Sequence, residues 1–393
     1  MTSLALVGAG VRGTQLLLRL GRTLAVSGAP LDLHVIDPFP PGAGRTWRTD
    51  QSDELLMNGP SESVSAYRLG EGPDLVTWLD ANAPGDASHR GTFPSRNVYG
   101  RYLGWAFEQA LAALPSRVTV SRRRGWVRSL HALKDAYSIE IEGEDAGLVR
   151  ADVVVLALGW LEASAHDGVA GGLPAQATWI PPGHPAEQDL DLIPDGARVL
   201  VRGLGMSFFD AVSLLTIGRG GEFVPAGEGL TYRPSGREPV LHVGTRRGVP
   251  FRAKVSMAGA GRPVAGPHPA LRAVLASGSG PLTAADGLLA AVVQDARDAV
   301  ANAGGDPDDL SLAALESPLA GGLWPSWQEA HAATLADFTR DLEQARIGAT
   351  SPLKAAHRSI GESRKIIAGA LEGRGIDASA WPEYQRILRL GAM

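Results

Sequence analysis

Apolar residues open this chain almost at once: "LALV", residues 4–7, predicts a short buried strand. A turn with three glycines follows. Then "TQLLLRLGRTL" gathers its apolar residues on one helical face, predicting a helix over about 13–24. "LDLHVID", residues 31–37, alternates and predicts a second strand that ends in Asp37. Residues 38–47, "PFPPGAGRTW", are too rich in Pro and Gly for regular structure. Residues 48–95 read as mixed loop and short helix, 99–114 as a helix and 117–120 as a strand. Two half-alternating segments, 126–133 and 137–143, predict antiparallel strands, and "ADVVVLALG" (151–159) is a continuous apolar run of the buried-strand kind. A second strand–turn–helix is predicted over 197–215, and another strand runs into a loop within 239–248. From about residue 269 the pattern turns helical, with Gly and Pro clusters between segments. Strands alternating with helices make this an α/β chain with a helical C-terminal region.

The first turn supplies Gly8, Gly10 and Gly13 in the pattern G-x-G-x-x-G. In a strand–turn–helix unit such a turn sets backbone N–H groups and a helix N-terminus against a pyrophosphate. Gly8 permits the tight turn, Gly10 lets a phosphate approach the backbone, and Gly13 lets the helix pack on the strand. Asp37 then stands where a carboxylate accepts hydrogen bonds from a ribose hydroxyl. A glycine turn of some other α/β fold is the competing reading. Agreement of strand, turn, helix and acidic residue favours dinucleotide binding.

The stretches "VGAGVRG", "IDPFPPGAGRTW", "LLMNGPSESVS", "FPSRNVYGRYL", "VLALG", "VRGLGMSFFDAVSLLTIGRGGEF" and "YRPSGREPVLHVGTRRGVPFRAK" extend over most of residues 1–254. Together they resemble the FAD/NAD(P)-binding protein family, two-dinucleotide-binding flavoproteins related to flavin-containing and N-hydroxylating monooxygenases. The resemblance implies a Rossmann-like parallel sheet with a β-meander, binding FAD first and NADPH or NADH second. It places Gly42, Gly44, Arg45 and Trp47 along the FAD, where glycines permit backbone approach and Arg45 neutralises phosphate charge. An ordinary Pro/Gly loop with a core Trp is the alternative. It brings the end of the "ALG" strand, at Gly159, near the FAD pyrophosphate and ribose. It also sets Asn58 beside the flavin ring, where an amide can both donate and accept; Asn before Gly-Pro is equally a turn residue. Arg96 is a candidate cofactor or substrate contact.

The second glycine turn matches the first only in part. Gly203 and Gly205 repeat the first two glycines, but Phe208 holds the third position. Ser207 and the helix N-terminus remain available to a phosphate. The resemblance makes this the NAD(P)H-type site. Arg246 and Arg247, after the next strand, either read a 2′-phosphate, favouring NADPH, or form a solvated basic loop.

Composition narrows the chemistry. The 393 residues carry no cysteine, which excludes disulfide, zinc-thiolate and iron–sulfur sites and any redox-active cysteine pair within the chain. Nine histidines show no metal-ligand spacing, so no metal is expected. A net charge of −5 without a large basic cluster argues against nucleic acid, no apolar run reaches membrane-spanning length, and a cytoplasmic location follows as the expectation. The expected organisation is an FAD domain over 1–165 with a loop-and-helix insertion at 48–95, a second nucleotide domain over 166–260, and a helical region over 261–393. The family's late flavin-facing glycine turn has no counterpart after residue 260, which raises a partner chain completing the flavin site. The expected function is an FAD-dependent, NAD(P)H-linked oxidoreductase acting on a small molecule, with hydroxylation of a heteroatom as the reaction the resemblance points to. The alternatives are a non-catalytic dinucleotide-binding protein, one half of a split flavoenzyme, or a redox-neutral flavoenzyme.

Overall fold

The computed structural model describes all residues except 69, 83–88, 90, 161–171, 175, 228, 246–247, 256–265, 317–318, 320–323 and 391–393. The chain divides into two compact units: Met1–Ala197 with Asp210–Val240, and Arg198–Phe209 with Leu241–Met393.

In the first unit, strands β1 (Thr2–Val7), β2 (Leu31–Ile36) and β3 (Val118–Arg123) form a parallel sheet with a later strand, β7 (Val153–Leu156), in the order β3-β2-β1-β7. Helix α1 (Val11–Ser27) connects β1 to β2. Helices α2 (Leu75–Asn82) and α3 (Arg96–Ala112) precede β3. The period-two alternation of β1 separates two cores. Leu6 joins Leu17 and Leu24 of α1 and Phe107 of α3 on one face. Ala5 and Val7 face the other way, onto Ile139, Ile141 and Val149. Those residues belong to a meander of β4 (Trp126–Ala132), β5 (Tyr137–Glu142) and β6 (Gly147–Ala151), antiparallel throughout. The sheet is therefore covered by helices on one side and by the meander on the other. Gly28, at φ +72°, ends α1 in a left-handed cap whose N–H donates to the Leu24 carbonyl.

The apolar run 151–159 is not one strand, as its pattern predicts. It is cut at Asp152, whose N–H donates to the Ser3 carbonyl and whose carboxylate accepts from the Ser3 N–H at 2.8 Å. Residues before the cut finish the meander, and those after it join the parallel sheet. Helix α3 carries a second layer, in which Trp47 meets Tyr99 edge-on at 4.8 Å and Tyr99, Tyr102 and Trp105 stack along one helix face. The Tyr102 hydroxyl donates to the Pro73 carbonyl and accepts from the Ala66 N–H, tying residues 66–73 to α3. A hairpin of β9 (Glu222–Ala226) and β10 (Gly229–Arg233), unforeseen from the sequence, completes this unit's strands. Helix α4 (Met206–Leu215) contributes its residues from Asp210 onward.

In the second unit, β8 (Arg198–Arg202) pairs with β11 (Val240–Gly244). The rest of the unit is helical: α5 (Pro269–Ala276), α6 (Leu288–Asn302), α7 (Leu312–Glu316), α8 (Trp327–Ile347), α9 (Pro352–Arg374) and α10 (Trp381–Leu390). α6 is central, its Leu288, Val292 and Ala296 packing with Leu271, Ile360, Ile367 and Ile387. Asp295 on α6 caps α5 by accepting from the Ala270 and Leu271 amides. Lys354 and Asp341 form a buried ion pair at 2.6 Å, and Asp341 also accepts from the Ala253 N–H. No described helix is long and apolar enough to cross a membrane.

Candidate functional site

The three glycines of the first turn are required by different neighbours. A methyl group at Gly8 would lie 2.3 Å from the Ala157 carbonyl oxygen, and Gly8 has φ +96°. A methyl at Gly13 would lie 2.4 Å from the Gly8 carbonyl oxygen. The fold itself demands both glycines. Gly10 is different: its backbone is ordinary, at φ −69°, and a methyl there meets nothing nearer than Gly44 Cα at 3.8 Å. No side chain caps α1 at Gly10, and no acidic residue stands in its first turn. The first-turn amides thus open onto a space that a Cβ at Gly10 would fill, which fits an anion at the helix N-terminus.

Asp37 ends β2 nearly buried. Its carboxylate accepts from the Ala9 N–H at 2.6 Å and from the Phe39 N–H at 2.8 Å. Burial pushes the carboxyl above its ordinary range, while the two amides pull it back. Asp37 thereby braces the glycine turn against the following loop, and each oxygen keeps a further lone pair for a hydroxyl donor. Beside it opens a cavity of about 320 Å³, lined among others by Val35, Phe39, Pro40, Arg123 and Asp145.

The loop 38–48 closes over the turn. The Gly42 N–H donates to the Ala9 carbonyl at 2.7 Å, and a methyl at Gly44 would lie 3.1 Å from Gly10 Cα. Helix α3 supports the loop from behind, with Gly100 packed so closely on the Trp47 carbonyl that no side chain fits between them. Arg45 points to Glu187, donating from Nε to both carboxylate oxygens at 2.8 and 3.0 Å. Arg48 donates to the same carboxylate at 2.9 Å. The Arg45 hydrogen bond holds the Glu187 carboxyl below its ordinary range, against the opposing effect of burial. Nearby His184 is pushed below its usual value by burial; Glu187 opposes this, and Arg96, Arg48 and Arg45 reinforce it. Arg96 itself makes an ion pair with Asp210, 2.7 Å apart and mostly buried.

Leu56 and Ser95 form an antiparallel bridge, the Met57 N–H donates to the Pro94 carbonyl, and Arg96 Nε donates to the Leu56 carbonyl. The Asn58 segment and the start of α3 therefore lie side by side, with Asn58 exposed. The structure gathers Gly8, Gly10, Gly13, Asp37, Gly42, Gly44 and Arg45 around one turn. Gly159 lies two residues beyond the Ala157 carbonyl that touches Gly8, and a methyl there meets nothing.

In the second unit, Gly203 has φ +117°, and its N–H donates to the Gly244 carbonyl at 2.7 Å. A methyl at Gly205 would lie 3.3 Å from the Phe251 ring, and Ser207 is exposed in the first turn of α4. Phe208, in place of the third glycine, packs edge-on against Phe209. Arg246 and Arg247 lie outside the described residues. Among the described residues, no group of three or more His, Asp or Glu side chains is arranged to hold a metal ion. No motif or periodicity in the sequence marks Arg48, His184 or Glu187. The last two sit in "PPGHPAEQ", a proline-rich stretch without periodicity.

Residues 5–161 match the family described as FAD-NAD(P)-binding. Over 267 residues, 64% of its length, the chain is 39% identical to nitrosuccinic acid synthase of Aspergillus oryzae, of which the match covers 41%. Over 305 residues, 68% of its length, it is 36% identical to the L-aspartate N-monooxygenase (nitrosuccinate-forming) of Streptomyces davaonensis, covering 46% of that protein. The enzyme of the same name from Streptomyces cremeus is 36% identical over 288 residues, 64% of this chain and 43% of the relative. The chain spans under half the length of the curated relatives it matches.

Proposed function

We propose that this chain, whose residues 5–161 match the family described as FAD-NAD(P)-binding, carries the dinucleotide-binding part of an NAD(P)H-linked N-monooxygenase. The observation that carries this is Gly10, the one glycine of the turn that the protein's own packing does not require. In this reading the first-turn amides of α1 hold the FAD pyrophosphate, Asp37 accepts from the ribose, and the cavity beside it takes the adenosine end. Arg45 would reach the phosphates only by leaving Glu187, which holds its guanidinium here; Trp47 and Asn58 flank the flavin, and Gly159 faces the pyrophosphate. Gly203, Gly205 and Ser207 serve the nicotinamide nucleotide, with Arg246 and Arg247 favouring NADPH. In this reading 1–165 serves FAD, 166–260 the nicotinamide nucleotide and 261–393 forms the helical region, a division by function that differs from the two compact units, Met1–Ala197 with Asp210–Val240 and Arg198–Phe209 with Leu241–Met393.

A flavin with a nicotinamide supplies hydride and oxygen chemistry that amino-acid side chains lack. The chain's own groups bind, orient and exclude water. The substrate is a small amino acid hydroxylated at its amino nitrogen, and L-aspartate is the first to test, given the names of relatives 36–39% identical to this chain. The test is the visible absorption of the purified chain with FAD, followed by NADPH without oxygen and then by L-aspartate with oxygen. Flavin bands that bleach with NADPH, and a hydroxylated amino acid on reoxidation, support the proposal. Retained flavin that NADPH leaves oxidised refutes the second nucleotide site, and absence of flavin binding refutes the first.

A further inference from the structure

The two glycine turns are built to one plan. Gly8 and Gly203 both hold a positive φ, +96° and +117°. Each donates its N–H to the end of the neighbouring strand, Gly8 to the Ile36 carbonyl at 2.9 Å and Gly203 to the Gly244 carbonyl at 2.7 Å. The residue after each glycine then receives a closing segment. The Ala9 carbonyl accepts from the Gly42 N–H at 2.7 Å, and the Leu204 carbonyl accepts from the Phe251 N–H at 3.3 Å. The turns part at the next position. A methyl at Gly10 would meet nothing nearer than Gly44 Cα at 3.8 Å, whereas a methyl at Gly205 would lie 3.3 Å from the Phe251 ring. The first closing segment leaves the front of its turn open with a glycine, and the second fills it with a phenyl ring.

The ring is held in place from both sides in the chain. Val249, just before it, is buried. Just after it, Arg252 and Ala253 are tied to α8 through Asp337 and Asp341, one helical turn apart on the same face. Arg252 donates to the Asp337 carboxylate at 2.6 Å, and the Ala253 N–H donates to the Asp341 carboxylate at 2.6 Å. The Lys354 ammonium of α9 donates to the Ala253 carbonyl at 2.7 Å. Arg252 and Asp337 are both mostly buried, so salt screens their pairing little.

We propose that Phe251 sets the affinity of the second turn for its nucleotide, by occupying the space through which a pyrophosphate approaches the second glycine. The proposal rests on the reading of Gly203, Gly205 and Ser207 as the nicotinamide-nucleotide site. A nicotinamide dinucleotide then binds only those molecules in which the ring has left Gly205, and its apparent affinity falls by that fraction. The ring leaves when the hydrogen bond from Phe251 to Leu204 breaks and the segment swings off the turn, against the tether on α8. At the first turn Gly44 stands in the corresponding place and leaves the approach open. Phe251 is thus a residue that determines nucleotide affinity without contacting the bound nucleotide.

Calorimetric titration of the full chain with NADP+, in the presence of FAD, tests it. Phe251→Ala should bind NADP+ roughly tenfold more tightly than the parent, because the ring no longer has to be displaced. Asp337→Asn loosens the tether without touching the ring and should give a smaller gain in the same direction, which keeps the test open if Phe251→Ala fails to fold. In the parent, saturating NADP+ should speed hydrogen exchange at the Phe251 amide while exchange in α6 stays unchanged. Equal NADP+ affinity in the parent and Phe251→Ala, or weaker binding by the variant, overturns the proposal and leaves the second nucleotide site standing. Slower exchange at Phe251 on binding also overturns it, since the ring would then stay with the ligand. Absence of NADP+ binding in the parent and both variants overturns the proposal together with the site.

Discussion

Gly10 and Gly13 stand three residues apart, yet alanine should do opposite things at them. At Gly13 the new methyl would sit 2.4 Å from the Gly8 carbonyl oxygen, a separation that forces α1 off β1. Overpacking of this kind costs about 1–3 kcal/mol. For a unit of this size that lowers Tm by roughly 3–10 °C. At Gly10 the methyl enters open space from an ordinary backbone conformation, with Gly44 Cα at 3.8 Å its nearest neighbour. Replacing glycine there restricts the unfolded chain and stabilises by about 0.4–1 kcal/mol. Tm should stay level or rise slightly. The same methyl occupies the space in front of the first-turn amides. Losing one charge-assisted hydrogen bond to phosphate costs about 1.5–3 kcal/mol, a ten- to hundredfold weaker FAD complex. Thermal denaturation without ligand, and FAD titration followed by flavin fluorescence, separate the two effects. If Gly10→Ala binds FAD as tightly as the parent, or loses as much Tm as Gly13→Ala, the assignment of the cradle is wrong.

Two further expectations concern charged groups. The folded-state Glu187 carboxyl lies below its ordinary value of 4.5, so its clamp on Arg45 and Arg48 is fully formed above that pH and is lost as pH falls through the lowered value. The Tm difference between parent and Glu187→Gln should therefore shrink on acidification, and a pH-independent difference would show that the clamp contributes nothing. In the second unit, Lys354→Met leaves Asp341, which is 1% exposed, without its counter-charge, at a cost of about 3–5 kcal/mol. Urea denaturation should show this loss and a partial recovery on adding Asp341→Asn; near-neutral behaviour of Lys354→Met would contradict it.

The first β-α-β unit was legible in the sequence because its causes are local. Apolar periodicity places β1 and α1, and three glycines at fixed spacing mark the turn. The pattern places Asp37 directly after β2 but says nothing of its partners. The Ala9 amide is 28 residues away in sequence and meets Asp37 only when β1 and β2 pair. The Glu187 clamp spans 142 residues between two segments without periodicity, so neither helical nor strand patterning could expose it. The break at Asp152 rests on a single polar residue within an apolar run, anchored to Ser3 at the far end of the fold's sequence. Strand β9 was hidden by Pro225, which argues against a strand from composition and is accommodated in a two-stranded hairpin. Phe208 is legible as a departure from the glycine pattern, and its ring packs edge-on against Phe209.

The Asp37 brace bears on the thermodynamics of recognition. By accepting from Ala9 on one side and Phe39 on the other, it fixes the glycine turn and the following loop before any nucleotide arrives. The entropy of ordering those segments is lost during folding, not during association. A ligand entering such a preset frame gains the full value of its contacts, because few rotors remain to be frozen. Removing the brace would move that entropic cost from one equilibrium to the other: the protein would fold with a looser turn, and each bound dinucleotide would have to organise it anew.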